Sequence, residues 1–146
     1  MARHLGPGPV TVTGNSMGGH TAARLLEHLP VNRLILFCPA AYSRAAESMV
    51  FSQGFTEELR RPGSWEDSAV WDILEGYTGK AMFIIGEHDD VIPEGVVARY
   101  LSSLRNCSVL EYLKIPGAPH LIHPWLEQNA GPREALFERL RRFMAG

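Results

Sequence analysis

The sequence is poor in cysteine, in excess charge of either sign and in long hydrophobic runs. Its 146 residues carry a formal net charge of -2 and include two cysteines, Cys38 and Cys107. Because these cysteines are far apart, a disulfide framework is not expected, and we interpret both as buried free thiols. The nearly balanced charge argues against nucleic acid or an anionic membrane as a partner.

Signals for export or membrane insertion are also scarce. The apolar runs are too short to cross a bilayer, and residues 1–4 lack the apolar core of a signal peptide. These features predict a cytoplasmic protein without a membrane partner. We also expect neither a metal ion nor an organic cofactor.

One stretch is rich in glycine around a serine, namely Gly14-Asn15-Ser16-Met17-Gly18. It follows a β-branched run, Val10–Thr13, and precedes a helical pattern. Strand, sharp turn and helix in this order are typical of a Gly-x-Ser-x-Gly nucleophile elbow, in which the serine is exposed at the turn. A glycine-rich surface turn that contains a serine would match the same motif. Other parts of the sequence are therefore needed to distinguish a nucleophile elbow from such a turn.

Strand and helix patterns alternate along the chain, which predicts an α/β fold in one domain over residues 1–146. Alternation of this kind is typical of a mostly parallel sheet, here of about four strands, with helices on both faces. Helices are predicted at about 16–29, after a capping-box pattern at Ser64–Asp67, from Pro93 and from Pro132. The predicted strands are Val10–Thr13, Leu34–Phe37, Met82–Ile85 and Val109–Ile115.

Ser16, Asp89 and His120 each follow a predicted strand, the first, third and fourth, respectively. The carboxyl ends of parallel strands meet at one edge of a sheet, where functional groups gather. The order Ser, Asp, His is that of the α/β-hydrolase superfamily, which the sequence resembles. The segments that carry the resemblance are Gly14–Gly19, Gly86–Pro93 and Gly117–His123.

The resemblance implies a serine hydrolase with a catalytic triad. Ser16 would be the nucleophile, His120 the general base and acid, and Asp89 the carboxylate that orients the imidazole. The backbone N–H of Met17 would stabilise the oxyanion of the tetrahedral intermediate. A serine in this role argues against relatives that use aspartate or cysteine as the nucleophile.

Two of these roles have alternatives nearby in the sequence. Glu87 and Asp90 are also acidic, although the family pattern places the acid at Asp89. His123 could replace His120 as the base. Supporting hydrogen bonds or solvent-exposed positions are the simpler interpretation of these alternatives.

Residues 39–79 occupy the place where this superfamily inserts its lid. Tyr42, Phe51 and Trp65 are candidates for the wall of an acyl pocket, and a small helical cap that packs on itself would explain them equally well. Lysine and arginine do not cluster near the three loops. We therefore expect a small uncharged ester or thioester as the substrate.

The resemblance covers only the second half of the family fold, which predicts a truncated α/β-hydrolase. Few residues precede Val10, so the first strand would lack a neighbour on one side, and such an edge can pair with another chain. We therefore expect a homodimer through the edge near Val10–Thr13. The loop that supplies a second oxyanion donor would also be absent. The alternative function is consequently a non-catalytic remnant or binding module that keeps the triad residues.

Overall fold

The structure is a computed structural model that describes residues 6–50 and 53–146. Its centre is one four-stranded sheet in the order β1-β2-β3-β4, and each neighbouring pair of strands is parallel. The strands are β1 (Val10–Asn15), β2 (Val31–Phe37), β3 (Lys80–His88) and β4 (Val109–Pro119). The predicted α/β class and parallel four-stranded sheet are confirmed.

Helices connect the strands throughout the described part of the chain. Short 3₁₀ turns extend α1 at Leu25–Glu27 and α5 at Leu104–Asn106. The α-helices are α1 (Met17–Arg24), α2 (Arg44–Glu47), α3 (Gln53–Arg60), α4 (Val70–Glu75), α5 (Glu94–Ser103), α6 (Ile122–Gln128) and α7 (Ala130–Ala145). Within residues 6–50 and 53–146, none of these helices combines the length and the apolar character that crossing a membrane requires.

The two central strands form where the sequence is continuously apolar. The apolar residues 34–37 of β2 and residues 81–86 of β3 are buried, as expected for strands covered on both faces. β4 lies at one edge of the sheet, and its more polar sequence agrees with that position.

Helices cover both faces of the sheet. Tyr100 of α5 packs on Phe83 of β3, with ring centroids 5.6 Å apart. Arg139 of α7 donates a hydrogen bond of 2.9 Å to Glu111 of β4. Glu111 pairs with Met82, which precedes Phe83, and successive strand residues point to opposite faces. Because Phe83 and Glu111 therefore lie on opposite faces, so do α5 and α7.

The predicted capping box at Ser64–Asp67 is wrong. Residues 62–67 form turns, and the Ser64 hydroxyl donates to the Leu59 carbonyl rather than capping a helix. α4 begins later, at Val70. The sequence prediction also missed α6, whose Pro124 lies in the first turn, where the absent N–H removes no helical hydrogen bond.

The predicted lid region, residues 39–79, divides into two parts. Val70, Trp71 and Leu74 of α4 belong to the main hydrophobic core. By contrast, Tyr42, Ala46 and Phe55 form a small separate cluster around α2 and α3. We call residues 42–50 and 53–65, which contain this cluster, the cap.

Candidate active site

Ser16 lies in a strained turn between β1 and α1. Its φ of 49° falls in the left-handed region that side chains other than glycine rarely adopt. The Ser16 N–H donates to the Phe37 carbonyl, and the Ser16 carbonyl accepts from Gly19 N–H and Ala40 N–H, each at 2.9 Å. Backbone contacts to β2 and the residues after it therefore hold the serine at the end of its strand.

The elbow requires glycine at Gly14 because β1 and α1 approach closely there. A Cβ atom at this position would collide with the Gly18 carbonyl and would lie 2.8 Å from Ala22 Cβ. A Cβ at Gly18 would meet nothing within 4 Å. The first glycine of the motif is thus required by sterics, and the second is not.

The structure brings Ser16, His120 and Asp89 together at the C-terminal edge of the sheet. His120 Nε2 lies 3.0 Å from Ser16 Oγ, and His120 Nδ1 lies 2.9 Å from Asp89 Oδ2. The His120 side chain is 12% exposed and the Asp89 side chain 1%. An ionised carboxylate can only accept a hydrogen bond, so Nδ1 carries the proton and Nε2 is free to accept from the serine hydroxyl.

Hydrogen bonds keep Asp89 ionised although it is buried. Burial alone would raise the pKa of Asp89, but donation from Ile92 N–H, His120, Val91 N–H and the Cys38 thiol outweighs it and lowers the pKa. Asp89 Oδ1 accepts the two backbone bonds, at 2.9 Å from Val91 and 3.0 Å from Ile92. Hydrogen bonds from its own loop and from the His120 imidazole therefore both fix the orientation of the Asp89 carboxylate.

The alternative residues lie elsewhere. The Glu87 carboxylate accepts a hydrogen bond from Gly117 N–H at 2.9 Å. Asp90 is exposed. His123 is exposed in α6, with its ring against Phe37 at a centroid distance of 4.7 Å. Asp89 and His120, rather than these neighbours, are the acidic and imidazole groups that the structure connects to Ser16.

Met17 is the first residue of α1, directly after the serine. The amide groups of the first helical turn have no intrahelical acceptor, and the helix dipole adds positive potential there. The Met17 N–H is therefore free of the helix ladder beside Ser16, while the Met17 side chain is 40% exposed.

A cleft of about 540 Å³ opens beside Ser16 and Met17. Tyr42 and Trp65, two of the predicted pocket residues, line it, whereas the third, Phe51, lies outside the described residues. Tyr42 also stacks on His20 of α1, with ring centroids 4.4 Å apart. Apolar side chains contribute much of the remaining wall, among them Ala40, Ala41, Leu59, Ile92 and Val96.

Two arginines of the cleft were not anticipated from the sequence. Arg60 and Arg61 both line it from the cap. Arg61 is engaged by Glu58 through hydrogen bonds of 3.0 and 2.8 Å, whereas Arg60 is exposed at the end of α3. Only the folding of the cap brings them to the cleft, since they lie more than forty positions after Ser16.

Cys38 is a further residue that the sequence prediction left out of the site. It follows β2, has a φ of 43° and is fully buried. Its sulfur, an Asp89 oxygen and a His120 ring nitrogen all lie within 4.8 Å of one another. Burial raises the pKa of the thiol to about 12, so it remains protonated. Its place at a strand end was the sequence signal that could have included it.

The same three side chains form a donor set that suits Zn²⁺. In the structure, however, Asp89 and His120 hydrogen-bond each other directly at 2.9 Å. A metal ion would have to displace that bond and the thiol proton.

No family model matches the chain, and no curated protein does either. Solved structures do match. One is a provisionally assigned non-heme bromoperoxidase from Mycobacterium tuberculosis H37Rv, with 18% identity over 94% of this chain and 67% of that chain and a TM-score of 0.60. A thermophilic esterase from the Planctomycetes species Thermogutta terrifontis has 21% identity over 89% of this chain and 53% of that one, with a TM-score of 0.55.

A third structure, from Agrobacterium tumefaciens, is a protein of unknown function provisionally assigned to the α/β-hydrolases. It has 19% identity over 92% of this chain and 51% of that chain, with a TM-score of 0.53. The chain thus spans about half to two thirds of the length of these structures. At such low identity the likeness concerns the fold, and the fold is part of an α/β-hydrolase fold.

Proposed function

We propose that this protein is a serine hydrolase that cleaves a small uncharged ester or thioester through an acyl-enzyme. The observation that carries the proposal is the continuous hydrogen-bonded chain Ser16–His120–Asp89, with contacts of 3.0 and 2.9 Å. Nucleophile, base and orienting carboxylate in this arrangement are what acyl transfer needs.

In the proposed first half-reaction, Ser16 Oγ attacks the carbonyl carbon of the substrate while its proton passes to His120 Nε2. Asp89 stabilises the imidazolium that forms. The oxyanion receives a hydrogen bond from Met17 N–H. His120 then returns the proton to the leaving alkoxide or thiolate, and the acyl group stays on Ser16. In the second half-reaction, water attacks the acyl carbon as His120 takes its proton, and the bond from that carbon to Ser16 Oγ then breaks, which releases the acid while His120 returns the proton to Oγ.

The lining of the cleft favours a small acyl group as the part of the substrate that binds there. Its walls beside Ser16 are largely apolar, with Tyr42 and Trp65 as the aromatic components. The charge of Arg61 is balanced by Glu58. We propose that the cap acts as the lid over this cleft. A preference for hemisuccinate over butyrate esters that disappears in Arg60→Gln would contradict the uncharged-substrate part of the proposal.

A fluorophosphonate probe tests the nucleophile directly. We expect stoichiometric labelling of the wild type and loss of labelling in Ser16→Ala, and a tryptic peptide bearing the adduct at Ser16. Ser43, which is buried and bonded to Glu58, provides a control position that should remain unlabelled. Labelling elsewhere, or none, would remove the support for acyl transfer.

A binding module is the second candidate, because Met17 N–H is the single oxyanion donor identified among the described residues. Such a module would bind an acyl compound in the cleft without turnover. Failure of covalent labelling together with saturable binding of an ester would favour it over the hydrolase.

We also propose a homodimer and a cytoplasmic location. β1 is an edge strand of the sheet in the described part of the chain, and its Thr13 is exposed. An open strand edge offers backbone groups for pairing with a second copy. Cys38 and Cys107 are free, which agrees with a reducing compartment.

A further inference from the structure

A second pocket, of about 430 Å³, lies at the N-terminal edge of the sheet, opposite to the candidate active site. Arg33 of β2 and Lys80 of β3 line it, and the two residues are direct neighbours in the parallel register. Neighbours of this kind project their side chains to the same face of a sheet, so two positive charges lie side by side. The described residues that line the pocket include no acidic side chain.

Both cations lie on the face of the sheet that α7 covers. Lys80 and Met82 share a face because they are two residues apart on β3. Met82 pairs with Glu111, which is hydrogen-bonded to α7. A Cβ atom at Gly146, just after α7, would lie 3.4 Å from Lys80 Nζ. The negative end of the helix dipole is therefore near the pocket, but it amounts to about half a charge and offsets only part of the two positive charges.

The Arg33 side chain is buried without a partner. It is 9% exposed, and its Nε atom has no hydrogen-bond partner. Within residues 6–50 and 53–146, the side chains of Arg33 and Lys80 also take part in no ion pair. Leaving a buried charge unpaired costs free energy, and proteins ordinarily pair such groups. Because Arg33 lines the pocket, a ligand can supply the partner that the fold does not.

We propose that this pocket binds a small oxyanion, either a phosphate or a carboxylate group, between Arg33 and Lys80. A guanidinium donates two parallel hydrogen bonds to such a group, and an ammonium supplies a compact second charge. The pocket volume is within the range of small-molecule sites, so the anionic group can be part of a small organic molecule. This site is independent of the proposed hydrolase activity.

Hydrogen bonds fix other parts of the pocket wall in advance. Ser108 N–H donates to the carbonyls of Thr78 and Gly79, at 3.1 and 3.0 Å. Ser108 Oγ also donates to the Gly79 carbonyl at 3.2 Å, and Asn32 Oδ1 accepts from Val10 N–H at 2.8 Å. A wall that is held in this way loses little conformational freedom when a ligand binds.

The pocket is separate from the candidate triad. Arg33 pairs with Thr11 of β1, and Ser16 follows Thr11 by five residues. At about 3.3 Å per residue, the two positions are roughly 16 Å apart along the sheet. A small anion beside Arg33 therefore does not contact Ser16, and its binding is best measured through the stability of the fold.

Unfolding in the presence of inorganic phosphate tests the site. A ligand that binds only the folded state raises the free energy of unfolding with a dependence on concentration set by its Kd. We expect this protection in the wild type when phosphate replaces chloride at constant ionic strength and neutral pH. A parallel titration with acetate distinguishes a phosphate site from a carboxylate site, because the anion that protects identifies the group that binds.

Arg33→Met is the deciding variant, since it removes the charge and keeps an apolar side chain. Without phosphate or acetate it should be at least as stable as the wild type, because no protein group loses a partner. At high concentration of the protecting anion the order should reverse, and the apparent Kd should rise at least about tenfold. Lys80→Gln should raise the Kd about three- to tenfold, and it serves as the second variant if Arg33→Met does not fold.

Two controls separate a specific site from general salt effects on stability. Arg105→Gln removes an exposed charge outside the pocket, and phosphate should protect this variant as it protects the wild type. A chain lengthened by two residues after Gly146 should respond as the wild type does, since the proposal needs no contribution from a terminal carboxylate. NMR titration of the backbone amides should show shifts centred on Arg33, Lys80 and Ser108.

Several results would overturn the proposal. These are the absence of protection by both anions, undiminished protection in folded Arg33→Met or Lys80→Gln, binding confined to the lengthened chain, and amide shifts centred on Ser16. The anion titrations and the NMR measurement need no turnover. Loss of fluorophosphonate labelling would therefore count against the proposed hydrolase and leave the anion site standing, whereas loss of anion binding would leave the hydrolase standing.

Discussion

Replacing Asp89 with asparagine removes one charge while keeping the shape of the side chain. In the wild type, Oδ1 accepts from Val91 and Ile92, and Oδ2 accepts from His120 Nδ1 at 2.9 Å. The asparagine can keep its oxygen on the two backbone donors only by presenting its NH₂ group to Nδ1–H. The opposite orientation would place the NH₂ group against the N–H groups of Val91 and Ile92. It is less favourable, because two donors rather than one would then lack an acceptor.

The variant is therefore expected to resolve the conflict by moving the imidazole proton to Nε2. That nitrogen, 3.0 Å from Ser16 Oγ, then donates to the serine instead of accepting its proton. The general base is lost without any change in side-chain volume. A wrong tautomer of this kind lowers kcat by about 10⁴, the value known for a serine-protease triad, which corresponds to roughly 5 kcal/mol of transition-state stabilisation.

The assay is kcat/KM for p-nitrophenyl butyrate, measured together with the rate of fluorophosphonate labelling. Asp90→Asn is the matched control, since Asp90 is exposed, and it should retain activity within about twofold because surface changes have small effects. Thermal unfolding of both variants serves as the control that each of them folds. If Asp89→Asn kept more than about a tenth of the wild-type rate, the reasoning on tautomers would be refuted.

The remaining predictions concern strain, sterics, pH and assembly. Ser16→Gly should be more stable to urea than Ser16→Ala by about 1 kcal/mol, because glycine tolerates the φ of 49°; equal stabilities would show that the turn is unstrained. Gly14→Ala should lose at least about 2 kcal/mol of unfolding free energy through overpacking, whereas Gly18→Ala should not. Asp89 has a lowered pKa in the folded state, so its contribution to stability should be complete at neutral pH and should fade as acid protonates it below about pH 4, and Asp89→Asn should lack this loss. Sedimentation at micromolar concentration should show a dimer that Thr13→Lys converts to monomer; a monomeric wild type would contradict the edge pairing.

The sequence predicted best what depends on local pattern. β2 and β3 formed where apolar runs were continuous, because a strand buried on both faces needs no polar alternation. Ser16, Asp89 and His120 could be anticipated because each follows a strand, and parallel strands present their ends at one edge. Their contact is not set by the sheet alone, because β1 and β4 lie at opposite edges of the sheet with two strands between them.

The sequence predicted poorly what depends on packing between distant segments. The thiol of Cys38 looked like an ordinary buried group, since nothing local shows that Asp89 lies beside it. Ser64 begins a sequence that resembles a helix N-cap, but its hydroxyl donates a hydrogen bond to the Leu59 carbonyl instead. Arg60 entered the cleft through the fold of the cap, so the expectation that cations lie far from the site could not be judged from spacing.

The separation of the cap from the main core has a consequence for how such a protein can change over time. Tyr42, Ala46 and Phe55 pack as a small group with Leu59 partly buried against it, whereas β1 to β4 and α4 belong to a different and larger group, and Ala40 packs against both. A substitution in the small group perturbs few of the contacts on which the sheet depends. Under the proposed function, Tyr42 and Leu59, which line the cleft from this group, can be exchanged while the strand ends beneath them stay fixed. Substrate preference can then change more readily than the chemistry.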